Sequence, residues 1–446
     1  DRSPSALYTR GEKVYNTGMD YTEEMRKRLG ERGSEEYFAA LRLPPVKGLH
    51  VNKVKAREDF DIDSLGFSVR ALGCGGGAYE VTGGSPTAHP YYRAGLYYMQ
   101  EPSAMYPVAF APIERGSRVL DMCAAPGGKS SMAAVKLGGS GLIVANDADR
   151  SRAAALRENM TVLSYPNVVV TSVRAEELPK VFGCAFDVVI ADVPCSGEGM
   201  MRKEPQAAFD WSLKNIEACA LRQRRILDAA DACLKEGGLL IYSTCTFSRD
   251  EDEDNALMMT ERGYEEVTFS HPFLAAARVS AGYKFYPHVY RGEGQYFCIL
   301  RKTARGGEEV RLKRLQNAPS SLVSSVRAFM DTDGLTVKRR GDMLFFPALD
   351  ADIPCLMNGI AIASVESDGR LTPAHGCATA LGDRFVSRAC LSANDERTAK
   401  YLRGEEIPAD CPDGWCSVLV DGYPLGAGKA TGGVVKNKYP KSLRLR

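Results

Sequence analysis

The chain lacks the features that mark membrane and secreted proteins. No apolar stretch reaches the roughly 18 residues that a membrane span needs. The first residues contain no apolar segment of the kind found in secretory signals. Net charge is also nearly absent, because 57 Lys and Arg balance 56 Asp and Glu. We therefore expect a cytoplasmic protein, without a membrane partner, whose basic surfaces arise only from local clustering.

A disulfide framework is not expected either. The 13 cysteines are an odd number and are scattered along the chain. Several lie in apolar runs, among them Cys184, Cys233 and Cys298. This usage is typical of thiols in a reducing compartment. We predict no metal site.

The length of 446 residues predicts about three domains at roughly 150 residues each. A composition of 44% hydrophobic and 25% charged residues is typical of a globular protein. Changes of pattern along the chain predict five parts. They are a flexible extension (1–18), an N-terminal α/β extension (19–95), an α/β domain (96–303), a small α+β module (304–394) and a C-terminal module (395–446).

Five apolar strands alternate with helices in the α/β domain. The predicted strands are SRVLDM, GLIVANDAD, NVVVTSV, FDVVIADVPC and GGLLIYSTCT, and the predicted helices are 130–137, 150–164 and 215–234. Strands separated by helices predict a Rossmann-like parallel sheet covered on both faces. Ligands of such sheets bind at the carboxyl ends of the strands. The polar segments DMCAAPGGK, NDAD, DVPCSGEG and STCT all fall at those ends.

A loop of small residues follows the first strand and begins a helix. It consists of Cys123, Ala124, Ala125, Pro126, Gly127, Gly128 and Lys129. Small residues let backbone N–H groups approach a ligand closely. A phosphate-binding P-loop is disfavoured, because Cys123 stands where that motif needs glycine. We predict a nucleoside-type cofactor, with the ribose hydroxyls on Asp147 at the end of the second strand. The alternative role of Asp147 is a helix cap, for which Asp149 is better placed.

Two cysteines follow the fourth and fifth strands, which are expected to be neighbours. A lone cysteine is usually a small buried apolar residue, yet Cys195 and Cys245 lie in polar, turn-like segments. A pair of thiols suits methylation of cytosine at C5. A thiolate that adds to C6 makes C5 nucleophilic, and a second thiol assists release. Asp192 is a candidate acid near N3, and Lys129 is a candidate to orient Asp192 or to lower a thiol pKa.

Three segments resemble the Nol–Nop–Sun family of RNA (cytosine-5) methyltransferases: DMCAAPGGKS, DVPCSGEGM and YSTCTFS, preceded by QEPSAM. The resemblance covers about 101–300. It implies S-adenosylmethionine as cofactor, held by the loop 123–129 with Asp147 and Asp192. It also implies that Cys245 attacks and that Cys195 assists product release. The residues themselves leave open which thiol attacks.

Two further segments resemble the RsmF/YebU branch of this family, which acts on bacterial 16S ribosomal RNA. They are YPHVYRGEGQYF (286–297) and the tail GYPLGAGK…VKNKYPKSLR. The resemblance implies a ribosomal RNA partner, an RNA-binding role for 19–95 and a PUA-like RNA-binding module at 395–446. The segment after the third strand departs from the family, since TSVRAEE has Ser172 and Arg174 where an acidic or amide residue is usual. Adenine contacts from the backbone or from Glu176 stay open. We assign no adenine contact there.

Candidate RNA contacts come from local clusters of charge. Tyr439 lies in the basic tail and is a candidate to stack on a base. Arg202 follows the Cys195 loop and is a candidate phosphate contact. The other candidates are Lys203, His288, Arg291, Lys436, Lys438 and Lys441. The acidic run 250–254 would repel RNA, and Ser248 with Glu251 predicts a capping box.

Other functions remain as alternatives. A DNA cytosine-5 methyltransferase would use Cys195 of its Pro-Cys pair as nucleophile, and the second thiol at Cys245 argues against it. A transfer RNA substrate is a further alternative. An exocyclic amine methyltransferase is disfavoured, because DVPCSG replaces its usual loop. A non-catalytic RNA-binding assembly factor is the alternative outside enzymes. We expect a monomer.

Overall fold

The computed structural model describes residues 19–203 and 211–445; the predicted extension 1–18 and Arg446 lie outside the described residues. The helices are α1 (Met19–Leu41), α2 (Pro90–Arg93), α3 (Pro102–Phe110), α4 (Gly128–Leu137), α5 (Arg150–Leu163), α6 (Leu178–Phe182), α7 (Leu213–Cys233), α8 (Glu253–Glu261), α9 (Ser320–Arg327), α10 (His375–Ala380) and α11 (Glu396–Arg403). No helix in these ranges is long and apolar enough to span a membrane.

The strands fall into an N-terminal group, a central group and two C-terminal groups. The first two groups are β1 (Lys47–Val51), β2 (Ser68–Ala71), β3 (Ala78–Gly83), β4 (Tyr97–Met99), β5 (Arg118–Asp121), β6 (Leu142–Asn146), β7 (Val168–Thr171), β8 (Phe186–Asp192), β9 (Leu234–Thr244), β10 (Tyr264–Glu266), β11 (Tyr283–Phe285) and β12 (Gln295–Lys302). The last two are β13 (Gln316–Asn317), β14 (Lys338–Arg340), β15 (Met343–Phe346), β16 (Met357–Asn358), β17 (Ile360–Val365), β18 (Leu371–Pro373), β19 (Ser387–Leu391), β20 (Ile407–Pro408), β21 (Gly414–Val420), β22 (Tyr423–Thr431) and β23 (Val434–Asn437).

The central sheet has the order β10-β12-β9-β8-β5-β6-β7-β16, with β11 paired to β12. The five predicted strands are β5 to β9, and they pair in parallel as expected. Their apolar side chains enter two hydrophobic clusters, one on each face of the sheet. The Rossmann-like fold predicted from the sequence is thus confirmed. Because the order reverses at β5, the carboxyl ends of β5 and β8 border the place where such sheets bind ligands.

Helix boundaries follow local sequence signals. Asp149 caps α5 by accepting the backbone N–H groups of Ser151 and Arg152, as expected for an aspartate at this position. Helix α4 ends at Gly138, whose φ of 58° lies in the left-handed region that glycine adopts without strain. Helix α1 is interrupted at Gly30, where φ is 74° and ψ is 176°. The cap at Asp149 thus fixes the end of the loop that precedes α5.

The outer parts pack against the central sheet and against each other. The N-terminal strands form a sheet in the order β2-β3-β1-β4. The C-terminal strands form two sheets, β13-β14-β15-β17-β18 and β19-β21-β22-β23-β20. Strand β16 joins the central sheet, because Met357 pairs with Val170. One hydrophobic cluster contains Leu49 of the N-terminal sheet together with Val418 of the C-terminal sheet. The N-terminal sheet and the C-terminal sheet that contains β21 therefore share one hydrophobic cluster.

Candidate active site

The two predicted cysteines lie side by side. The parallel pairing of β8 with β9 places Asp192 opposite Ser243, so the segments that follow both strands leave the sheet together. The sulfur atoms of Cys195 and Cys245 are 3.2 Å apart, and both side chains are half-buried. The hydrogen bond to Cys245 and burial raise the pKa of the Cys195 thiol well above its usual value. Two thiols are thus in direct contact, and burial disfavours the charged form of Cys195.

Asp192 is held by three donors at the end of β8. Lys129 Nζ lies 2.8 Å from Asp192 Oδ2. Ser243 Oγ and Gln295 Nε2 donate to Oδ1 at 2.7 Å and 3.1 Å. Lys129 is buried while Asp192 stays partly exposed. The carboxylate is thus fixed in orientation and remains accessible to a ligand.

Glu251 fixes the loop that carries Cys195. Ser196 N–H and Gln223 Nε2 both donate to Glu251 Oε2, at 3.0 Å and 2.8 Å. Burial raises the pKa of Glu251. The predicted capping box of Ser248 and Glu251 is wrong, because α8 begins only at Glu253 and Glu251 turns toward the Cys195 loop instead. Glu251 is therefore a residue of the site that the sequence pattern concealed.

A close backbone contact joins the two cysteine loops. The N–H of Gly199 donates to the Cys245 carbonyl at 2.7 Å. A Cβ at Gly199 would lie 2.9 Å from that same oxygen and 2.9 Å from the Gly294 carbonyl. Only glycine fits at this distance. Gly199, the second glycine of SGEG, therefore sets the separation of the two loops and so of the two sulfur atoms.

The acidic run after Cys245 is largely internal. Glu251, Asp252 and Glu253 are buried, and Lys284 Nζ lies 3.0 Å from Asp252 and 2.8 Å from Glu253. Lys284 also donates to the Phe247 carbonyl at 3.0 Å. The expectation that this run repels RNA is wrong for these three carboxylates, because they are buried and paired inside the protein: Lys284 pairs with Asp252 and Glu253, and Glu251 accepts from Ser196 and Gln223. Their contacts hold the segment after Cys245 against the sheet.

The loop 123–129 is tightly packed at its glycines. Gly127 has a φ of 118°, and a Cβ there would lie 2.5 Å from the Met160 side chain. The side chain of Asn159 donates to the Pro126 carbonyl at 2.9 Å, and Arg152 donates to the Ala125 carbonyl at 2.8 Å. Helix α5 thus packs against the loop and fixes its backbone through these two hydrogen bonds. Its backbone is presented at the start of α4, as the sequence predicted.

Two buried carboxylates beside this loop have oxygens without a hydrogen-bond partner among the described residues. They are Oδ2 of Asp147, which has a charge contact with Arg152 at 3.3 Å, and Oδ1 of Asp121. Burial raises the pKa of Asp121 to about 7, and the nearby carboxylates of Asp192 and Asp147 add to the rise. Donors or positive charge from a ligand would stabilise this cluster. Asp121 was not predicted, although it ends an apolar strand directly before the loop.

The end of the third strand is fixed by Asn146 rather than by a charged residue. Asn146 Nδ2 donates to the Met122 and Val173 carbonyls at 3.0 Å and 2.8 Å. Its Oδ1 accepts from Val173 N–H at 2.9 Å and from Thr171 Oγ1 at 2.8 Å. The backbone around Val173 is therefore held beside the loop 123–129. Arg174 is exposed and makes no such contact within 19–203 or 211–445.

Two predicted RNA contacts are buried, and their assignment is corrected. Arg202 is 3% exposed and lies 2.6 Å from Glu293, and it also donates to the Ala40 and Gly292 carbonyls. Tyr439 is 1% exposed and packs edge-on against His375 and Tyr401. Arg202 thus joins α1 to the central domain, and the ring of Tyr439 has no free face for a base.

Replacement of Arg202 is expected to lower stability. Arg202→Ala leaves Glu293 buried without its cation, which costs about 3–5 kcal/mol of unfolding free energy. Lys203→Ala removes an exposed charge at the next position and is expected to change stability by less than about 0.5 kcal/mol. Urea denaturation of both variants measures the difference. Equal stability of the two variants would show that Arg202 has no such structural role.

The remaining predicted RNA contacts differ in exposure. Lys203, Lys436, Lys438 and Lys441 are exposed. Arg291 is exposed and pairs with buried Glu80, its Nε lying 3.2 Å from Glu80 Oε1. His288 is partly buried and lies against the rings of Tyr37 and Tyr286.

A partly exposed aromatic residue, Trp415, stands beside the tail lysines. The ammonium groups of Lys429 and Lys438 lie 5.7 Å and 5.9 Å from its ring centre. An aromatic ring flanked by cations is suited to stack a base while the cations meet phosphate. Trp415 was not predicted as an RNA contact, because it lies in the apolar run WCSVLV. Its pairing with lysines arises only when β21 and β22 align Trp415 with Lys429.

The fold and the site place the chain in the class of Rossmann-like methyltransferases. Residues 108–301 match a family described as 16S rRNA methyltransferase RsmB/F. Residues 18–102 match the N-terminal domain of 16S rRNA methyltransferase RsmF, and residues 388–445 match the methyltransferase RsmF PUA domain. The predicted resemblance to this family and the predicted PUA-like module are confirmed.

Relatives match over most of the chain. Ribosomal RNA small subunit methyltransferase F of Citrobacter koseri is 31% identical over 386 residues, which cover 79% of each chain. The protein of the same name from Psychromonas ingrahamii is 29% identical over 449 residues, with 92% of this chain and 93% of that protein covered. A methyltransferase homologue from Pyrococcus horikoshii has a similar solved structure, with a TM-score of 0.56 and 26% identity, covering 65% of this chain and 96% of that one. The chain belongs to the RsmB/F family of 16S rRNA methyltransferases.

Proposed function

We propose that this protein transfers a methyl group from S-adenosylmethionine to C5 of a cytosine in 16S ribosomal RNA, through a covalent bond between Cys245 and C6. The observation that carries the proposal is the 3.2 Å contact between the sulfurs of Cys195 and Cys245 at the ends of neighbouring strands. A lone nucleophile would not need a second thiol. Family membership and the names of the relatives support ribosomal RNA as the substrate.

The contact of the two thiols supports a division of labour. The hydrogen bond to Cys245 and burial raise the pKa of the Cys195 thiol, and in this proposal Cys195 keeps its proton and donates it toward the sulfur of Cys245. Cys245 attacks C6 as a thiolate, and a proton at N3 neutralises the base as the S–C6 bond forms. After methylation, water accepts the proton from C5, the C5=C6 double bond re-forms as the S–C6 bond breaks, and N3 returns its proton to Asp192. Cys195 then supplies a proton to the departing sulfur of Cys245.

Asp192 and Lys129 supply the proton at N3 in this proposal. Lys129 Nζ lies 2.8 Å from Asp192 Oδ2, and Ser243 and Gln295 keep the carboxylate oriented. Charge that develops at N3 is then met by a group already in place. The fixed orientation lowers the barrier without reorganisation of the site.

The carboxylates and the loop fit S-adenosylmethionine, which supplies an electrophilic methyl group on a positively charged sulfur. The Oδ2 of Asp147, which has no hydrogen-bond partner among the described residues, suits the ribose hydroxyls. The cluster of Asp121, Asp147 and Asp192 has a surplus of negative charge, and a cationic ligand offsets it. The backbone of 123–129 would hold the remainder of the cofactor. We propose no adenine contact beyond the backbone near Val173.

Asp147→Asn is expected to weaken S-adenosylmethionine binding. An amide keeps the shape of the side chain but loses the charge and one acceptor for the ribose, which is worth roughly 1.5–3 kcal/mol, or about 10- to 150-fold in Kd. Isothermal titration calorimetry with the wild type and this variant measures the change. Asp149→Asn, which keeps an oxygen for the α5 cap, serves as a control with an unchanged Kd. Wild-type protein without measurable binding would support the non-catalytic assembly factor instead.

The substrate is tested in cells. We expect bisulfite sequencing of ribosomal RNA from a deletion strain to show loss of 5-methylcytosine at one or more 16S positions, restored by the wild-type gene and not by Cys245→Ser. If 5-methylcytosine is lost only from transfer RNA, the substrate is transfer RNA and not ribosomal RNA. A ribosomal RNA substrate also places the protein in the cytoplasm. This chemistry does not require a second copy of the chain, and we propose that the protein is a monomer.

A further inference from the structure

A cavity of about 710 Å³ lies between α5, the strands β15 and β17, and the segment 440–443. Its walls therefore come from three parts of the chain, namely the catalytic domain, the module 304–394 and the C-terminal module. The volume falls within the range of about 300–1,000 Å³ that ligand pockets occupy. Neither thiol and no residue of the loop 123–129 lines it.

Helix α5 separates this cavity from the proposed cofactor site. Asn159 points to the cofactor loop, because it donates to the Pro126 carbonyl. Arg157 and Thr161 line the cavity, and each is two residues from Asn159. At 3.6 residues per turn, two residues correspond to about 160° around the helix. The two sites therefore lie on opposite faces of α5, and variants in one need not alter the other.

Two exposed arginines line the cavity from different domains. Arg157 makes no ion pair or side-chain hydrogen bond with the described residues, so its guanidinium is available. Arg340 lies 2.9 Å from Cys355 Sγ and 3.7 Å from Asp352. Guanidinium groups bind phosphate through paired hydrogen bonds. Glu158, the acidic residue of the lining, accepts a hydrogen bond from Ser442 and is thus engaged within the wall.

His375 adds an uncharged polar group to the wall. Both of its ring nitrogens are shielded from solvent, and neither has a partner in the part of the chain that the structure describes. Burial lowers the pKa of His375 to about 4, so the ring is neutral at physiological pH. A neutral imidazole offers one donor and one acceptor. An unpaired base presents such groups on its edges, whereas the apolar side chains of Phe345 and Met343 suit its faces.

We propose that this cavity binds one unpaired nucleotide of the RNA substrate, with its base against His375 and the apolar wall and its phosphate at Arg157 and Arg340. The inference rests on the proposed RNA substrate and names where a nucleotide away from the target cytosine is held. A strand is favoured over a free nucleotide because exposed Lys441 directly follows the cavity residue Pro440 and offers a cation to the next phosphate. Binding there would fix the C-terminal module and the catalytic domain on one RNA.

Photo-crosslinking tests the location. The probe is a single-stranded RNA with one 4-thiouridine, crosslinked to the full-length protein and mapped by mass spectrometry. We expect crosslinked peptides that contain Phe345, Met357 or His375, and we expect them to disappear in Ala361→Trp, which fills the cavity. Crosslinks confined to other surfaces overturn the inference. Competition by uridine monophosphate as strong as by RNA also overturns it, in favour of a free-nucleotide site.

Kinetics tests the role of the arginines. The double variant Arg157→Ala/Arg340→Ala is expected to raise the KM for RNA about tenfold and to reduce the slope of log K against log salt by about 0.7 for each lost phosphate contact. The maximal rate and the Kd for S-adenosylmethionine are expected to stay unchanged. Arg339→Ala, a neighbouring exposed arginine outside the cavity, is the matched control and should retain both KM and slope. An unchanged salt slope in the double variant overturns the phosphate contacts.

The experiments can contradict the proposed function and the cavity inference independently of each other. If the wild type transfers no methyl group to ribosomal RNA, the proposed function is wrong, whereas the crosslink position can still be read. If the wild type methylates RNA but cavity variants match it in KM and in crosslinks, the cavity inference alone is wrong. Thermal melting of Ala361→Trp and of the double variant shows whether each variant remains folded.

Discussion

Cys245→Ser is expected to abolish methyl transfer and covalent trapping together, whereas Cys195→Ser is expected to retain trapping and to accumulate the adduct. A serine hydroxyl is far less nucleophilic than a thiolate at neutral pH, so the bond to C6 does not form. Without Cys195, the sulfur of Cys245 loses the partner that lies 3.2 Å away and supplies its proton on release. The adduct then forms and persists.

RNA that contains 5-azacytidine tests this assignment, because the adduct with that base resists release and survives denaturing electrophoresis. Cys390→Ser is a suitable control, since Cys390 is exposed and not one of the paired thiols. We expect the control to behave as the wild type. An adduct that survives in Cys245→Ser and is absent in Cys195→Ser would reverse the roles. That result would support the mechanism of DNA cytosine-5 methyltransferases.

The contact of the two thiols could be predicted because it depends on strand order alone. Parallel strands that follow each other through α7 are neighbours in most such sheets, and their carboxyl ends point the same way. Both cysteines come shortly after a strand, so local sequence and topology were sufficient. Which thiol attacks could not be predicted from strand order, because it depends on the contacts and burial that the tertiary structure gives each sulfur.

The wrong predictions for Arg202, Glu251 and Tyr439 share one physical cause. Burial of a polar side chain depends on partners distant in sequence. Arg202 meets Glu293, and Glu251 meets the backbone of Ser196. A local pattern of charge or a capping motif carries no information about such partners. Tyr439 was assigned to RNA from its basic neighbours, yet its ring completes a core with Tyr401. In contrast, Asp149 caps the helix that directly follows it, and a local motif was enough.

The sequence also concealed how the domains meet. Strand β16 and helix α10 belong to the module 304–394, and they pack on β7 and α5 of the central domain. Short segments of two and six residues carry too little periodicity to reveal such contacts. The junction cavity with Arg157 and His375 exists only because of this packing. Its candidate residues therefore belong to tertiary structure and leave no motif.

Asp192→Asn is expected to reduce the rate of methyl transfer by about 10²- to 10⁴-fold, the usual contribution of a positioned acid or base. The amide keeps the size of the side chain and its hydrogen bond from Ser243, but it loses the ion pair with Lys129 and cannot pass a proton to N3. Because that proton is needed as the S–C6 bond forms, the loss should appear in adduct formation. Single-turnover trapping on 5-azacytidine RNA measures that step.

Ser243→Ala is the matched control for Asp192→Asn. It removes one of the hydrogen bonds to Asp192 Oδ1 while Gln295 and Lys129 remain, so the rate should fall by about tenfold or less. Calorimetry with S-adenosylmethionine separates chemistry from cofactor binding, since Asp192 also borders the proposed cofactor site. If Asp192→Asn forms the adduct at the wild-type rate and loses only cofactor affinity, Asp192 acts on the cofactor and another group must supply the proton at N3. If adduct formation slows while cofactor affinity changes little, the carboxylate that Lys129 and Ser243 orient is the acid that acts on the base.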